Sequence, residues 1–377
     1  MKGKYRTITL MVLISILVLS ILAPVILAKQ RKTYLTDFLF SNQIEHSGFS
    51  NSVNTDVFSY EATTGALEII DHYFIYETPG DWGATNMNIN ITLFQESLGE
   101  KITPLLYSGG IILYNLYYLL RALTILNYSF SDAHINTIQT YIDECAQDGG
   151  GFSPTNTSTS ASLISTYYSV KLYSMIGKLD FLDKSLHKNW VLNCRNTDGG
   201  YGGNSSLPST IANTYYAILT VNILGTIEEL VNPSTTVSYL NSFFISDISD
   251  ERNFGGYLPD SQAKNALISS TYYSTKAISL LDNSKLHMEN TTLWIKARQN
   301  FKDGGFADNS DGVDQKVSSI SNSFLAFEIL KIFDEDLLLL EEHVWMIEFN
   351  WFILLIILSS IGVVIVIGVI VWKKKKL

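Results

Sequence analysis

Between residues 31 and 335 the apolar positions fall into two alternating kinds of segment. One kind is apolar nearly all round: ILYNLYYLLRALTIL from Ile112, ISTYYSVKLYSMIG from Ile164, ANTYYAILTVNILG from Ala212, SSTYYSTKAISLLD from Ser269 and ISNSFLAFEILKIF from Ile320, with VFSYEATTGALEII from Val57 as a degenerate first copy. The other kind, starting at Asp132, Leu182, Pro233 and His287, sets apolar residues three and four apart among polar ones, and weaker partners lie at Thr33 to Phe40 and Asn90 to Leu98. The first pattern predicts buried helices and the second predicts helices with one wet face. At about 14 residues the apolar segments are too short to cross a bilayer, so neighbouring helices must cover them.

Gly-Gly-aromatic elements sit between the two kinds of segment: DGGGFS with Phe152, DGGYGG with Tyr201, FGGYLP with Tyr257 and DGGFAD with Phe306. They recur about every 50 residues, which marks a repeat of amphipathic helix, corner, apolar helix and turn. A phosphate loop has no reason to recur in this way, and its Gly-Lys-Ser/Thr ending is missing. Six copies predict an all-α fold in two layers, either an open solenoid with polar caps or a closed ring. Asp148, Gly150, Asp198, Gly200, Gly256, Asp303 and Gly305 are read as structural corner residues. The glycines allow the reversal, and the aspartates accept hydrogen bonds from amides of their own turns. The paired tyrosines stand about 100° apart on each apolar helix. Tyr117, Tyr167, Tyr215 and Tyr272 are therefore either core aromatics or the lining of a pocket for an apolar ligand.

The termini change the picture. Thr7 to Ala28 is uncharged and follows Lys2, Lys4 and Arg6, so residues 1–30 read as a cleaved signal peptide or a retained anchor. Residues 351–372, flanked by Trp351 and Trp372, read as a transmembrane helix, with the lysine-rich 373–377 as a cytoplasmic tail. The expected consequence is a single-pass or two-pass membrane protein whose main domain, residues 31–335, lies outside the cell or in a lumen. Residues 336–350 would form a short amphipathic juxtamembrane helix. Sequons at Asn90, Asn127, Asn156, Asn204 and Asn290 suit an exposed surface.

All 36 acidic residues lie between residues 30 and 350, which leaves that region near a charge of about −18 and argues against nucleic acid as a partner. Two cysteines, Cys145 and Cys194, are too few for a disulfide scaffold. They end equivalent outer helices, where the expected spacing exceeds what a disulfide tolerates, so two buried free thiols are expected.

The repeat length, the Gln or Asn shortly before Asp-Gly-Gly-aromatic and the Thr-Tyr-Tyr helix opening together resemble the α/α toroid of protein prenyltransferase β subunits, squalene and other terpenoid cyclases, and complement-like thioester domains. The resemblance covers about Val57 to Phe333 and implies an (α/α)6 toroid, six inner and six outer helices around an apolar cavity. It also implies an isoprenoid, lipid or peptide ligand and a helical partner subunit, and the anchors would add the bilayer.

The chemistry of that family is harder to find here. The resemblance implies a zinc held by an Asp-Gly-Cys and a later His at inner-helix openings. Aligned on the second tyrosine, the Asp and His positions fall on Ser165, Asn213, Ser270 or Asn322, and the cysteine position falls on Tyr167, Tyr215, Tyr272 or Phe324. Asp143-Glu144-Cys145 lies inside an outer helix, and His134, His187 and His287 fall near outer-helix starts, where solvated or capping roles are expected. No Asp-x-Asp-Asp or Gly-Cys-Gly-Glu-Gln occurs. Asp247, Asp250 and Glu251 occupy an inter-repeat insertion, and Asp308, Asp311 and Asp314 a solvated acidic loop. No catalytic residue, metal ligand or cofactor is assigned. Two functions follow: a binding domain that keeps the toroid without its chemistry, or a divergent prenyltransferase or cyclase acting on a membrane isoprenoid.

Overall fold

The computed structural model describes residues 25–53, 55–73, 89–108, 112–308 and 317–348. Two compact units are present, residues Lys32–Glu341 and a second built from the chain on either side of them.

In chain order the first unit contains α1 (Arg31–Ser41), α2 (Tyr60–His72), α3 (Ile91–Gly99), α4 (Ile102–Leu106), α5 (Ile112–Ile125), α6 (Asp132–Cys145) and α7 (Leu163–Met175). It continues with α8 (Lys184–Leu192), α9 (Ile211–Leu224), α10 (Pro233–Asn241), α11 (Ile268–Leu281), α12 (Met288–Lys296), α13 (Ile320–Phe333) and α14 (Leu338–Glu341). The inner helices α2, α5, α7, α9, α11 and α13 pack on one another in sequence, and α13 packs back on α2. The ring is therefore closed, which settles the choice between solenoid and ring.

Closure is built into both layers. At each corner the polypeptide meets the next outer helix: Gly200 lies under the Tyr239 ring of α10, Gly256 under Trp294 of α12, and the last corner's Gly305 under Phe38 of the first helix, α1. A Cβ at Gly200 would stand 2.7 Å from the Tyr239 ring, so the corner tolerates no side chain there. The left-handed backbone is adopted one residue earlier, at Gly199 with φ 93°, a conformation that costs glycine nothing. The first backbone N–H of each of three inner helices is also met by the following corner. Leu163 donates to the Gly203 carbonyl, Ile268 to Asp308, and Ile320 to the Asn51 carbonyl across the closure.

The second unit holds an antiparallel pair, β1 (Val25–Gln30) and β2 (His343–Glu348), in register from Val25 opposite Glu348 to Gln30 opposite His343. Here the expectations from the termini are corrected. Val25 to Ala28, expected in a hydrophobic helix, and His343 to Glu348, expected in an amphipathic one, are strands instead. Short runs with β-branched residues fit either state, and pairing with a distant partner decides between them. The remainder of Thr7 to Ala28 and residues 351–377 lie outside the described residues. No helix among the described residues is long and apolar enough to cross a membrane. That finding overturns the expected single-pass or two-pass topology, with its extracytoplasmic domain and cytoplasmic tail, and gives no support to the flanking hydrophobic helices.

Candidate functional site

One hydrogen bond sets the height of five of the six inner-helix openings. Thr166 Oγ1 of α7 accepts the N–H of the corner residue Phe152, and the same bond joins Tyr201 to Thr214, Tyr257 to Thr271, Phe306 to Ser323 and Phe49 to Thr63, at 2.9 to 3.1 Å. The corner aromatics are fully buried, so this acceptor satisfies an amide that has no access to water. This is the role of the threonine in Thr-Tyr-Tyr. It also identifies Gly48-Phe49 as a corner, although that stretch has one glycine and no aspartate.

With the helices in register, residues one position later form a layer: Tyr117, Tyr167, Tyr215 and Tyr272, completed by Thr64 and Phe324. Their ring centroids follow one another at 6.1, 6.5 and 5.7 Å, and Tyr215 and Tyr272 bring their hydroxyls to 3.4 Å. The second tyrosines form another layer, with Tyr168 and Tyr216 sharing a hydrogen bond of 3.1 Å. Gly65 stands in this layer on α2, and its missing side chain leaves room for Phe324, whose Cβ lies 2.8 Å from where a Cβ would be. Between the two layers only a cavity of about 30 Å³ remains. Burial drives the Tyr167 and Tyr215 hydroxyls well above their ordinary pKa, so they remain neutral donors. The expected apolar lumen is thus corrected: at this end it is filled by tyrosines.

One helical turn further, a position the sequence reading missed completes a third layer: Glu68, Arg121, Lys171, Leu219, Lys276 and Glu328, one from each inner helix. These six, with the tyrosine layer below and Thr124, Ile125, Met175, Asn222 and Ile223 above, line a cavity of about 490 Å³. Thr124 and Asn222 are exposed, so the C-terminal ends of the inner helices form its rim. Arg121 is committed: its guanidinium holds Glu68 at 2.5 Å and donates to the Tyr117 hydroxyl at 2.9 Å. Lys171 and Lys276 have no hydrogen bond or ion pair among the described residues. Burial, reinforced by Arg121 and Lys276, lowers the Lys171 pKa. Burial, with Glu68 adding to it, raises that of Glu328, and nearby Lys331, Arg121 and Lys276 only partly oppose it. The signal was available in the sequence, because Arg121, Lys171 and Lys276 each stand four residues after the first tyrosine and so share its face.

The corner residues divide. Asp198 accepts from the Gly200 amide at 2.9 Å and from Ser209 at 2.8 Å, and Asp303 accepts from the Gly305 amide at 3.1 Å and from Ser318 at 2.8 Å. Asp148 is exposed and makes no such bond. In its corner Gly150 and Gly151 both have positive φ, and the Gly151 amide donates to His187 Nδ1 at 3.0 Å. His187 is accordingly buried and stacked on Phe152, not solvated as expected. Left-handed φ values fall on Gly150, Gly199, Gly255 and Gly304. Gly200, Gly256 and Gly305 instead lie where the neighbouring outer helix crowds the chain. Asp308 accepts from the Ile268 amide and the Asn322 side chain, while Asp311 and Asp314 lie outside the described residues. Cys145 and Cys194 are buried free thiols.

A family model for the prenyltransferase α/α toroid domain matches residues 86–188 and 167–347. The chain belongs to this family. It is similar to the geranylgeranyl transferase type-1 subunit beta of Arabidopsis thaliana, 24% identical over 152 residues, and spans about 40% of that relative's length. In fold it is similar to a solved structure of Candida albicans protein geranylgeranyltransferase-I complexed with GGPP, with a TM-score of 0.53, 14% identity, and coverage of 74% of this chain and 84% of that one.

Among prenyltransferase toroids the implied cofactor is zinc, and the residues here do not fit it. At the inner-helix openings Ser165 bonds to Ser162 at 2.8 Å, Ser270 donates to the Tyr257 carbonyl at 2.6 Å, and Asn322 donates to Asp308 at 3.1 Å. Hydroxyls, amides and the phenyl and phenol rings beside them are not a zinc donor set. Among the described residues no three His, Cys, Asp or Glu side chains converge as a metal site.

Proposed function

We propose that this toroid is a binding domain, holding in its lumen a small ligand with an apolar part, an isoprenoid or a related lipid, without transferring it to a thiol. The observation that carries this reading is the cavity of about 490 Å³ at the centre of the ring, a size suited to a small organic ligand. At the opposite ends of the inner helices, three of the openings that would hold a thiol-activating metal carry residues engaged in capping and corner bonds, Ser165, Ser270 and Asn322. The test is incubation of the purified protein with geranylgeranyl diphosphate, a cysteine-bearing acceptor peptide and zinc, read by native mass spectrometry. Retained prenyl ligand with unmodified peptide supports the binding domain; prenylated peptide above the protein-free level overturns it.

A second reading, a divergent prenyltransferase working with a protein partner, is favoured by the family match and by the Arabidopsis relative, which is a transferase subunit. Under that reading peptide prenylation would require an added partner chain, so the same assay in cell extract separates the two.

A further inference from the structure

We infer that the lumen takes a singly charged carboxylate head-first, with its anion between Lys171 and Lys276 above the tyrosine floor and its apolar tail toward Ile125, Met175 and Ile223 at the rim. This rests on the reading of the lumen as a ligand site and adds the chemical class and the direction of entry.

Three observations carry it. The first is charge balance. The layer holds Arg121, Lys171 and Lys276 against Glu68 and Glu328, one positive charge in excess, which a single carboxylate neutralises and a diphosphate over-fills. The second is partnership. Arg121 is saturated by Glu68 and Tyr117, whereas the two lysines, across Leu219 from one another in helix order, make no hydrogen bond or close ion pair among the described residues, Glu328 acting on Lys276 only at longer range. Both are half-buried, and a bound anion would offset the partial loss of water around their ammonium groups. The third is the order of polarity along the axis. Four residues of helix, about 6 Å, separate the tyrosine floor from the charges, and a similar rise separates the charges from Ile125, Met175 and Ile223 at the rim, beside the exposed Thr124 and Asn222. A tail-first ligand would press its chain into a space of about 30 Å³ between tyrosine layers and leave its head at Met175. A head-first ligand meets charge at depth and hydrocarbon at the mouth.

The test is calorimetric titration of the full chain with decanoate, decanol and decyl phosphate, repeated on Lys171→Met, Lys276→Met and Lys276→Arg. The expected result is decanoate bound best, about tenfold weaker for each methionine variant and retained by Lys276→Arg, as loss of one charge-assisted hydrogen bond requires. Melting temperatures of the methionine variants at or above that of the parent confirm intact folding; if either variant melts lower, Lys→Gln at the same position takes its place. Decanol binding as well as decanoate, unmoved by the lysine variants, overturns the head-group assignment and leaves the lumen site standing. Preference for decyl phosphate overturns the single charge. No binding of any of the three overturns both this inference and the reading beneath it.

Discussion

The two halves of the lumen are made by the same six helices, a turn apart, and they are put together on opposite terms. In the tyrosine layers the polar atoms are answered from within: hydroxyl meets hydroxyl between Tyr168 and Tyr216, and Tyr114 donates to Glu61 at 2.6 Å. Rings pack edge and tilt around the circle, and almost no space remains. In the charged layer only Arg121 and Glu68 are answered, and the remaining lysines and Glu328 face a cavity. Half-buried charges without a contacting partner add little to holding a ring together. The difference teaches what each half contributes to the ring. The tyrosine end is built as packing, and the charged end, on the proposed reading, as a ligand site.

The comparison breaks most readily at Tyr216. Truncation to Ala removes a buried aromatic at the centre of the packed layers and should cost about 3–5 kcal/mol in urea unfolding, whereas Tyr216→Phe, which loses only the hydroxyl bond, should cost about 1 kcal/mol. The matching truncation at the other end, Lys276→Met, should leave stability unchanged or raise it. Equal losses at the two ends would show that both are structural.

Arg121 is the one member of the charged layer that behaves like the tyrosine end. Arg121→Met should destabilise by about 2 kcal/mol, because Glu68 is left partly buried without its cation. Adding Glu68→Gln should recover much of that loss, a double-mutant cycle measurable by thermal unfolding. If the double variant is no better than the single one, the pair is not coupled, and Arg121 belongs with the free lysines.

Acid should act first at the tyrosine end, through the corner beneath it. His187 must be neutral at Nδ1 to accept the Gly151 amide, and burial holds its pKa below the ordinary 6.5, with Asp183 opposing. A base with a depressed folded pKa contributes stability that is present above 6.5 and lost as pH falls through the lowered value. Unfolding midpoints measured downward from neutrality should therefore drop, and in His187→Phe, which keeps the stack on Phe152, the drop should shrink. An unchanged acid limb in that variant would place the sensitivity elsewhere.

The same contrast explains what could be read from the chain. The tyrosine end was legible because it repeats by residue type: Thr-Tyr-Tyr and Gly-Gly-aromatic return with each copy and fix helices, corners and layers. Closure could not be read from the period and came only with the family resemblance, since it rests on Gly305 meeting Phe38 and on Asn51 meeting α13, contacts between the far ends of the domain. The charged layer repeats by position alone. Glu, Arg, Lys, Leu, Lys and Glu share no residue type, so no period in composition reveals them, and only counting four residues on from each first tyrosine brings out the three cations. The corner at Gly48-Phe49 was hidden for the same reason, its geometry kept after its glycine pair and aspartate had gone. The strands at Val25 and His343 show the limit of local pattern, because a pairing over more than three hundred residues decided their state.

Glu328 gives the finest division between the two ends. Burial raises its pKa, so the folded state keeps a proton that the unfolded chain releases near 4.5. The sign is opposite to that at His187: the cost is absent below 4.5, grows as pH rises through the raised folded value, and is complete above it. Glu328→Gln removes the titration while keeping the shape and the donor. Its melting temperature should match the parent in acid, exceed it by a margin that grows as pH rises through the raised value, and then keep a constant lead, smaller than the effect at Arg121. A constant offset at every pH would mean that Glu328 is packed like the tyrosines and never senses the cavity, and the boundary between the two halves would then lie above it.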